Sequence, residues 1–76
     1  MKWIKIEDKV PIEGQKTWTY FVHTGISVMT YHSLEGTKDE IFGKHLFIGG
    51  GGFLTDDVTH WMPYTKGNKK PKSPNT

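Results

Sequence analysis

Alternating apolar and polar residues predict the clearest strand of the chain at residues 17–23, where even-numbered and odd-numbered side chains point to opposite sides. Residues 26–32 are rich in β-branched and aromatic side chains and predict a second strand. Between the two runs lie Thr24 and Gly25, and a glycine can adopt the positive φ that tight hairpin turns require. The pattern therefore predicts an antiparallel hairpin with a two-residue turn.

A two-residue turn at this position fixes which residues face each other. The predicted pairs are Trp18 with Tyr31, Tyr20 with Met29, and Phe21 with Val28. One side of the hairpin would then carry only large apolar side chains, and cross-strand pairs of this kind contribute roughly 0.2–1 kcal/mol each. We predict that this side faces the core and consists of Trp18, Tyr20, Met29 and Tyr31. The other side would be half polar.

Shorter runs predict the remaining elements. Residues 3–6, 45–48 and 58–62 are strand candidates, and Pro63 ends the last of them because proline cannot donate to a β-ladder. The polar stretch at residues 33–44 predicts a loop with one helical turn. Asp56 and Asp57 predict a turn.

Composition supports a small β fold. The chain has 76 residues, enough for one domain, and it contains ten aromatic residues but no cysteine, alanine or arginine. Without alanine, the strongest helix former, strand formers dominate. We predict a mostly β domain at residues 1–64, an antiparallel sheet or partly open barrel of four to five strands. The strands of Trp3 and Trp61 should be adjacent.

Charge divides the chain into two parts. Residues 1–64 contain six lysines and eight acidic residues, whereas residues 65–76 contain four lysines and no acid. We predict a disordered basic tail at residues 65–76, because it also lacks apolar residues. An acidic body without arginine argues against a nucleic-acid reader. The only nucleic-acid contact expected is weak and non-specific, through the lysines Lys66, Lys69, Lys70 and Lys72.

No apolar run approaches the roughly 20 residues that a membrane span requires. The first residues lack the apolar stretch of a signal peptide. From these features we expect a soluble, cytoplasmic protein without a membrane partner.

Two segments near the ends resemble a known family. They contain Trp3-Ile4, Asp8, Val10-Pro11 and Gly14, and then Thr59-His60-Trp61-Met62-Pro63. The chain resembles a small domain-of-unknown-function family that is common in tailed-phage and prophage genomes. The resemblance spans residues 3–63, although Val10 replaces the usual leucine and Tyr64-Thr65 replaces a common Leu-Pro. It implies a phage origin, a small β fold and, for a phage protein, the cytoplasm of the host cell. It implies no activity.

Candidate chemistry is sparse. Four histidines, His23, His32, His45 and His60, lie in predicted strands without the spacing of a metal site, so we predict neither metal nor cofactor. No nucleophile motif surrounds a serine, and cysteine is absent. We therefore predict that the protein is not an enzyme; the alternative, ranked last, is an enzyme in which His60 acts as a general base near Asp56 or Asp57.

The candidate binding residues form two groups. Gly49, Gly50, Gly51, Gly52 and Phe53 would form a hairpin connection, and as a mobile loop they could close over a ligand or partner. A phosphate loop is disfavoured, because the required Gly-Lys-Ser/Thr is missing and two aspartates follow. The second group is His60, Trp61 and Tyr64. For His60 and Trp61, a structural role in the core competes with a binding role.

Three functions remain open. The first is a phage accessory protein that binds a host protein, for takeover or against host defence, since Phe21, Phe42, Phe47, Phe53 and Tyr64 exceed what one sheet face needs. The second is a nucleotide or small-molecule binder in which Trp18 or Trp61 stacks on a base. A ligand at about 100 times its dissociation constant would add about 2.7 kcal/mol of stability. The third is a virion component or homo-oligomer.

Overall fold

Six strands form one antiparallel, open sheet. The computed structural model describes residues 2–21, 25–49, 52–67 and 69–74, and for Leu54 the backbone. The strands, in chain order, are β1 (Ile4–Lys5), β2 (Lys16–Phe21), β3 (Gly25–Ser33), β4 (His45–Gly49), β5 (Gly52–Leu54) and β6 (Val58–Pro63). Across the sheet they lie in the order β1-β6-β2-β3-β4-β5. The mostly β prediction is confirmed, with one strand more because residues 52–54 form a short strand.

The two tryptophan-bearing ends lie side by side, as predicted. β1 pairs with β6, and Ile4 is opposite Trp61. Next along the sheet, β6 pairs with β2, and this register shifts between Tyr20 and Phe21. The shift places Val58 opposite Phe21, on the same side of the sheet as Trp61.

The predicted register of the β2–β3 hairpin is wrong. Trp18 pairs with Val28, Tyr20 with Ile26, and Phe21 with Gly25. Gly25 already belongs to β3, so the connection consists of residues 22–24 and not of a two-residue turn at Thr24 and Gly25. Val22, His23 and Thr24 lie outside the described residues.

The predicted core face is wrong for the same reason. An odd shift in register moves a whole set of side chains to the other side of the sheet. Trp18 and Tyr20 therefore lie on one side, which we name the outer face, whereas Met29 and Tyr31 lie on the other, the inner face.

The core sits on the inner face. Met29, Tyr31, Phe47 and Val58 form one buried cluster, against which Ile6 packs. Val58 of β6 and Phe47 of β4 belong to this cluster although β2 and β3 lie between their strands. The sheet must therefore curl around its inner face. Phe47 is fully buried and is a core residue, so its inclusion among the surplus aromatics was wrong.

Aromatic contacts bury part of the outer face as well. The Trp3 ring meets Tyr20 edge-on, with centroids 6.1 Å apart, and the Tyr64 ring meets Trp18 at 5.5 Å. Trp18, Tyr20 and the neighbouring Met62 are buried in consequence. Toward β4 and β5, the outer face stays partly exposed.

The loop after β3 contains the predicted helical turn, a 3-10 helix at Lys38–Phe42. Thr37 begins it: its hydroxyl donates to the Leu34 carbonyl at 2.7 Å and accepts from the Asp39 amide at 3.2 Å. Gly43 ends it with φ 139°, and a Cβ there would lie 2.8 Å from the Asp56 carboxylate oxygens. Only glycine fits this position.

Candidate functional site

An apolar groove lies on the outer face where β4 and β5 meet the 3-10 helix. It has a volume of about 480 Å³ and is lined by Leu34, Asp39, Phe42, Leu46, Ile48, Gly52, Phe53 and Thr55. We name it the β4–β5 groove. Most of its lining is apolar, and among the described residues only Asp39 and Thr55 contribute polar side chains.

Strand alternation explains the wall formed by the sheet. Ile48 and Phe53 are paired across β4 and β5, so their side chains point to the same side. Leu46 precedes Ile48 by two residues and shares this side. The intervening Phe47 points to the inner face, where it is fully buried. One short strand therefore supplies both the core and the groove.

The opposite wall depends on the loop after β3. The Leu34 amide donates to the Lys44 carbonyl at 3.0 Å, which closes the loop around the 3-10 helix. The Asp56 carboxylate accepts from the amides of Lys44 and His45 at 3.2 and 3.4 Å. These bonds hold the loop beside the sheet and keep Phe42 at the groove.

Three large apolar side chains of the groove are exposed to solvent. Phe42 is 65% exposed, Ile48 45% and Phe53 68%. Single exposed apolar residues are ordinary, but several around one concave surface are typical of an interaction site. Sequence reasoning named Phe53 and Gly52 but missed the groove, because Leu34 and Phe42 come from a loop whose position no local pattern gives.

The candidate binding residues do not form one site. Gly52 and Phe53 line the groove, and Gly49 pairs with Gly52 beside it. Gly50 and Gly51 lie outside the described residues. His60, Trp61 and Tyr64 belong to or follow β6, which is separated from β4 by β2 and β3.

Within this second group, each residue has its own environment. Trp61 is 2% exposed, and its indole Nε1 donates to the Lys9 carbonyl at 2.8 Å. The rings of His60 and Tyr20 meet edge-on at 6.0 Å, and a hydrogen bond of 2.9 Å joins His60 Nδ1 to the Thr59 hydroxyl. These contacts favour a structural role for Trp61, whereas His60 stays partly exposed.

The other described histidines have separate partners. A hydrogen bond of 2.8 Å joins His45 Nδ1 to the hydroxyl of Tyr31, and burial raises the pKa of that tyrosine. His32 Nδ1 lies 2.5 Å from a carboxylate oxygen of Glu13. The Ser33 amide donates to the other oxygen at 2.8 Å, and these two bonds, led by the amide, lower the pKa of Glu13.

The described residues hold neither a metal-type cluster nor a membrane-spanning helix. No cluster of three histidine, cysteine or acidic residues with the geometry of a metal site occurs among residues 2–21, 25–49, 52–67 and 69–74. In the same part of the chain, no helix is long and apolar enough to cross a bilayer.

The family model described as a protein of unknown function, DUF551, matches residues 2–66. The chain belongs to the DUF551 family. The match includes all six strands and the complete β4–β5 groove, so both are parts of the DUF551 domain. Comparison with curated proteins and with solved structures found no match.

The lysine tail lies almost entirely outside the DUF551 match, which includes only Lys66 of its four lysines. The described residues between 65 and 74 form neither strand nor helix. The predicted flexibility of this tail stays a prediction, and one of its residues, Lys72, bonds to Trp3.

Proposed function

We propose that the protein acts by binding another protein, which docks an extended segment into the β4–β5 groove. The observation that carries this proposal is the exposure of Phe42, Ile48 and Phe53 around one groove beside a sheet edge. Burial of such side chains contributes roughly 25 cal/mol per Å² of apolar surface. A partner that covers them gains binding energy without any change in the core.

The edge of the sheet supports an extended partner. β5 pairs with β4 on one side, and no other strand of the described residues pairs with it. An edge strand offers unpaired backbone groups to a further strand, and alternate side chains of an added strand fall on one face. Because Phe53 of β5 lines the groove, a strand added to β5 would direct every second side chain toward it.

Charge supports a basic partner. Residues 34–57, which carry the groove, contain five acidic residues and two lysines, a net charge of −3. Asp39 lies in the groove itself. We therefore propose that the bound segment alternates apolar residues with neighbours that include lysine or arginine.

This surface suits the two other functions less well. In a homodimer built on β5, two copies of the same acidic region would approach each other. A base that stacks on Trp18 or Trp61 would need an open ring face, whereas Trp18 is 8% and Trp61 2% exposed. Small-molecule sites also place several polar groups around the ligand, and this groove has two polar side chains.

The resemblance of the two chain ends to a family common in phage genomes supports a phage accessory role. In that case the partner is a host protein, and the binding serves host takeover or resistance to host defence. The protein then acts by holding a segment of the host protein in the groove, and no catalytic step is required.

Selection from a displayed library of random peptides tests the proposal. We expect the wild-type protein to enrich peptides with apolar residues at alternate positions and flanking basic residues. Phe53→Asp should lose these peptides, because it places a charge in the groove. Ile41→Asp is the matched control: Ile41 is 84% exposed but does not line the groove, so this variant should retain them.

Two results would overturn the proposal. One is that the selected peptides share no common pattern, or that the Phe53→Asp variant still binds them. The other is a concentration-dependent dimer that Phe53→Asp dissociates, since a second copy would then be the occupant. Thermal melting of both variants shows that the fold is intact.

A further inference from the structure

The C-terminal tail, residues 65–76, contacts the domain at Trp3, at the opposite edge of the sheet from the β4–β5 groove. The indole Nε1 of Trp3 donates to the backbone carbonyl of Lys72 at 2.7 Å, although 69 residues separate them in the chain. Trp3 is partly buried, and its indole N–H lies at the surface, where it meets the tail. Its acceptor lies outside the family match at 2–66.

In the tail, the prolines are less exposed than the lysines. Pro71, Ser73 and Pro74 are partly buried, whereas Lys69, Lys70 and Lys72 are exposed. Charge attraction would bring the lysine side chains toward the surface. The observed attachment of the tail is therefore through its backbone at Lys72, with the lysine side chains in solvent.

The surface beneath this contact is aromatic. Trp3, Tyr20 and His60 follow one another across the outer face, with ring centroids 6.1 Å apart for the first pair and 6.0 Å for the second. Both pairs meet edge-on, at interplanar angles of 62° and 71°. We name these three residues the aromatic surface. It lies over β1, β6 and β2, at the opposite edge of the sheet from β5.

Residues 71–74 read Pro-Lys-Ser-Pro, so the two prolines are three positions apart. An extended polyproline II segment has three residues per turn and no internal hydrogen bonds. Prolines at this spacing lie on the same side, and the carbonyls between them are free to accept. Aromatic grooves recognise such segments at little entropic cost, because proline already restricts the backbone.

We propose that the aromatic surface is a binding site for extended Pro-x-x-Pro segments, and that residues 71–74 of the same chain occupy it. The Trp3 indole recognises the backbone through the Lys72 carbonyl, and the prolines contact the rings. A Pro-x-x-Pro segment from another protein binds only after it displaces the tail. The tail therefore lowers the apparent affinity of the site for outside ligands.

Backbone amide relaxation in the full chain tests whether the tail is docked. We expect heteronuclear NOE values for Lys72 and Ser73 close to those of the sheet; the flanking prolines have no amide proton. The double variant Pro71→Ala/Pro74→Ala should lower them to the values of a free tail and shift the Trp3 indole resonance. The control Lys69→Ala/Lys70→Ala removes two charges but keeps the prolines, so its tail should stay ordered.

A peptide titration tests whether the surface accepts a ligand from outside. The probe is a synthetic peptide with the sequence of residues 66–76. The readout is the backbone amide shifts of Tyr20 and His60, which exist in every variant, together with the indole resonance of Trp3 where that residue is present. We expect the Pro71→Ala/Pro74→Ala protein to bind it with an apparent affinity on the order of 10-fold higher than wild type, if the tail fills the site about nine-tenths of the time. Trp3→Phe added to the double variant should weaken this binding.

Three results would overturn the proposal: NOE values in wild type as low as those of a free tail, release of the tail in Lys69→Ala/Lys70→Ala, or equal peptide affinity in wild type and in Pro71→Ala/Pro74→Ala. Because the proline variants change only the tail, misfolding of the sheet cannot produce these outcomes. The β4–β5 groove is not involved, so the result is independent of the proposed function.

Discussion

Trp18 and Trp61 are buried on adjacent strands, but their indole N–H groups differ. Trp61 donates to the Lys9 carbonyl at 2.8 Å and so joins β6 to the loop after β1. The Nε1 of Trp18 is buried without a hydrogen-bond partner among the described residues. A buried donor without an acceptor costs roughly 1–3 kcal/mol. The two tryptophans therefore contribute differently to stability although both are buried.

Replacing each tryptophan by phenylalanine tests this difference. Both changes remove similar volume, but Trp61→Phe also leaves the Lys9 carbonyl without its donor. Trp18→Phe removes a donor that has no partner. We expect Trp61→Phe to lower the free energy of unfolding by about 1 kcal/mol more than Trp18→Phe. Urea unfolding measures both, and an equal loss would contradict the assigned hydrogen bond.

Glu13 makes the stability of the fold depend on pH. The Ser33 amide and His32 lower the pKa of Glu13 from its ordinary value of 4.5. A carboxylate whose pKa is lower in the folded state stabilises the fold above its ordinary pKa, and this contribution is lost as the pH falls through the folded value. We expect wild type to be more stable than Glu13→Gln at pH 6, with the difference shrinking below about pH 4.5. A constant difference would contradict this.

At the scale of elements, the β4–β5 hairpin depends on one close approach. A Cβ at Gly49 would lie 2.6 Å from the Val28 carbonyl oxygen, whereas a Cβ at Gly52 would meet nothing within 4 Å. We expect Gly49→Ala to cost about 1–3 kcal/mol, because β3 and β4 must separate. Gly52→Ala should stay within about 0.5 kcal/mol of wild type. Thermal unfolding compares them, and equal costs would show that Gly49 is not constrained.

The sequence predicted strands better than their register. Residues 17–21 and 58–62 were recognisable because apolar alternation and Pro63 are local signals. The β2–β3 register was not, because it depends on where the connection at 22–24 ends, and Gly25 looked like a turn residue although it pairs with Phe21. The predicted partner of Trp18 was Tyr31, three residues from its observed partner Val28. Because three is an odd number, the prediction placed Met29 and Tyr31 on the wrong face of the sheet.

The candidate site was predictable only in part. Phe53 stood out because apolar residues follow a run of four glycines in the sequence. The groove also needs Leu34 and Phe42, and these reach it through the Thr37 cap and the Asp56 bonds to the backbone. Such contacts join residues far apart in sequence, so no spacing reveals them. For Trp61, the sequence left a structural role and a binding role open. Its burial and its hydrogen bond to the Lys9 carbonyl favour the structural role.

At the scale of the whole molecule, the two proposed binding surfaces lie near opposite edges of the sheet. The β4–β5 groove is beside β5, and the aromatic surface lies over β1, β6 and β2. The core cluster of Met29, Tyr31, Phe47 and Val58 uses the inner face between them. Changes at the exposed Phe42 and Phe53 of the groove, or at the tail prolines, should therefore leave folding intact, so that binding and stability can be measured separately.

Amide hydrogen exchange of β5 tests the central claim most directly. If a partner adds an extended segment to this edge, a peptide selected on the wild-type protein should slow exchange at residues 52–54. Exchange in β1, at the other edge, should not change. Unchanged exchange at residues 52–54, or protection confined to β1, would contradict binding at the β4–β5 groove.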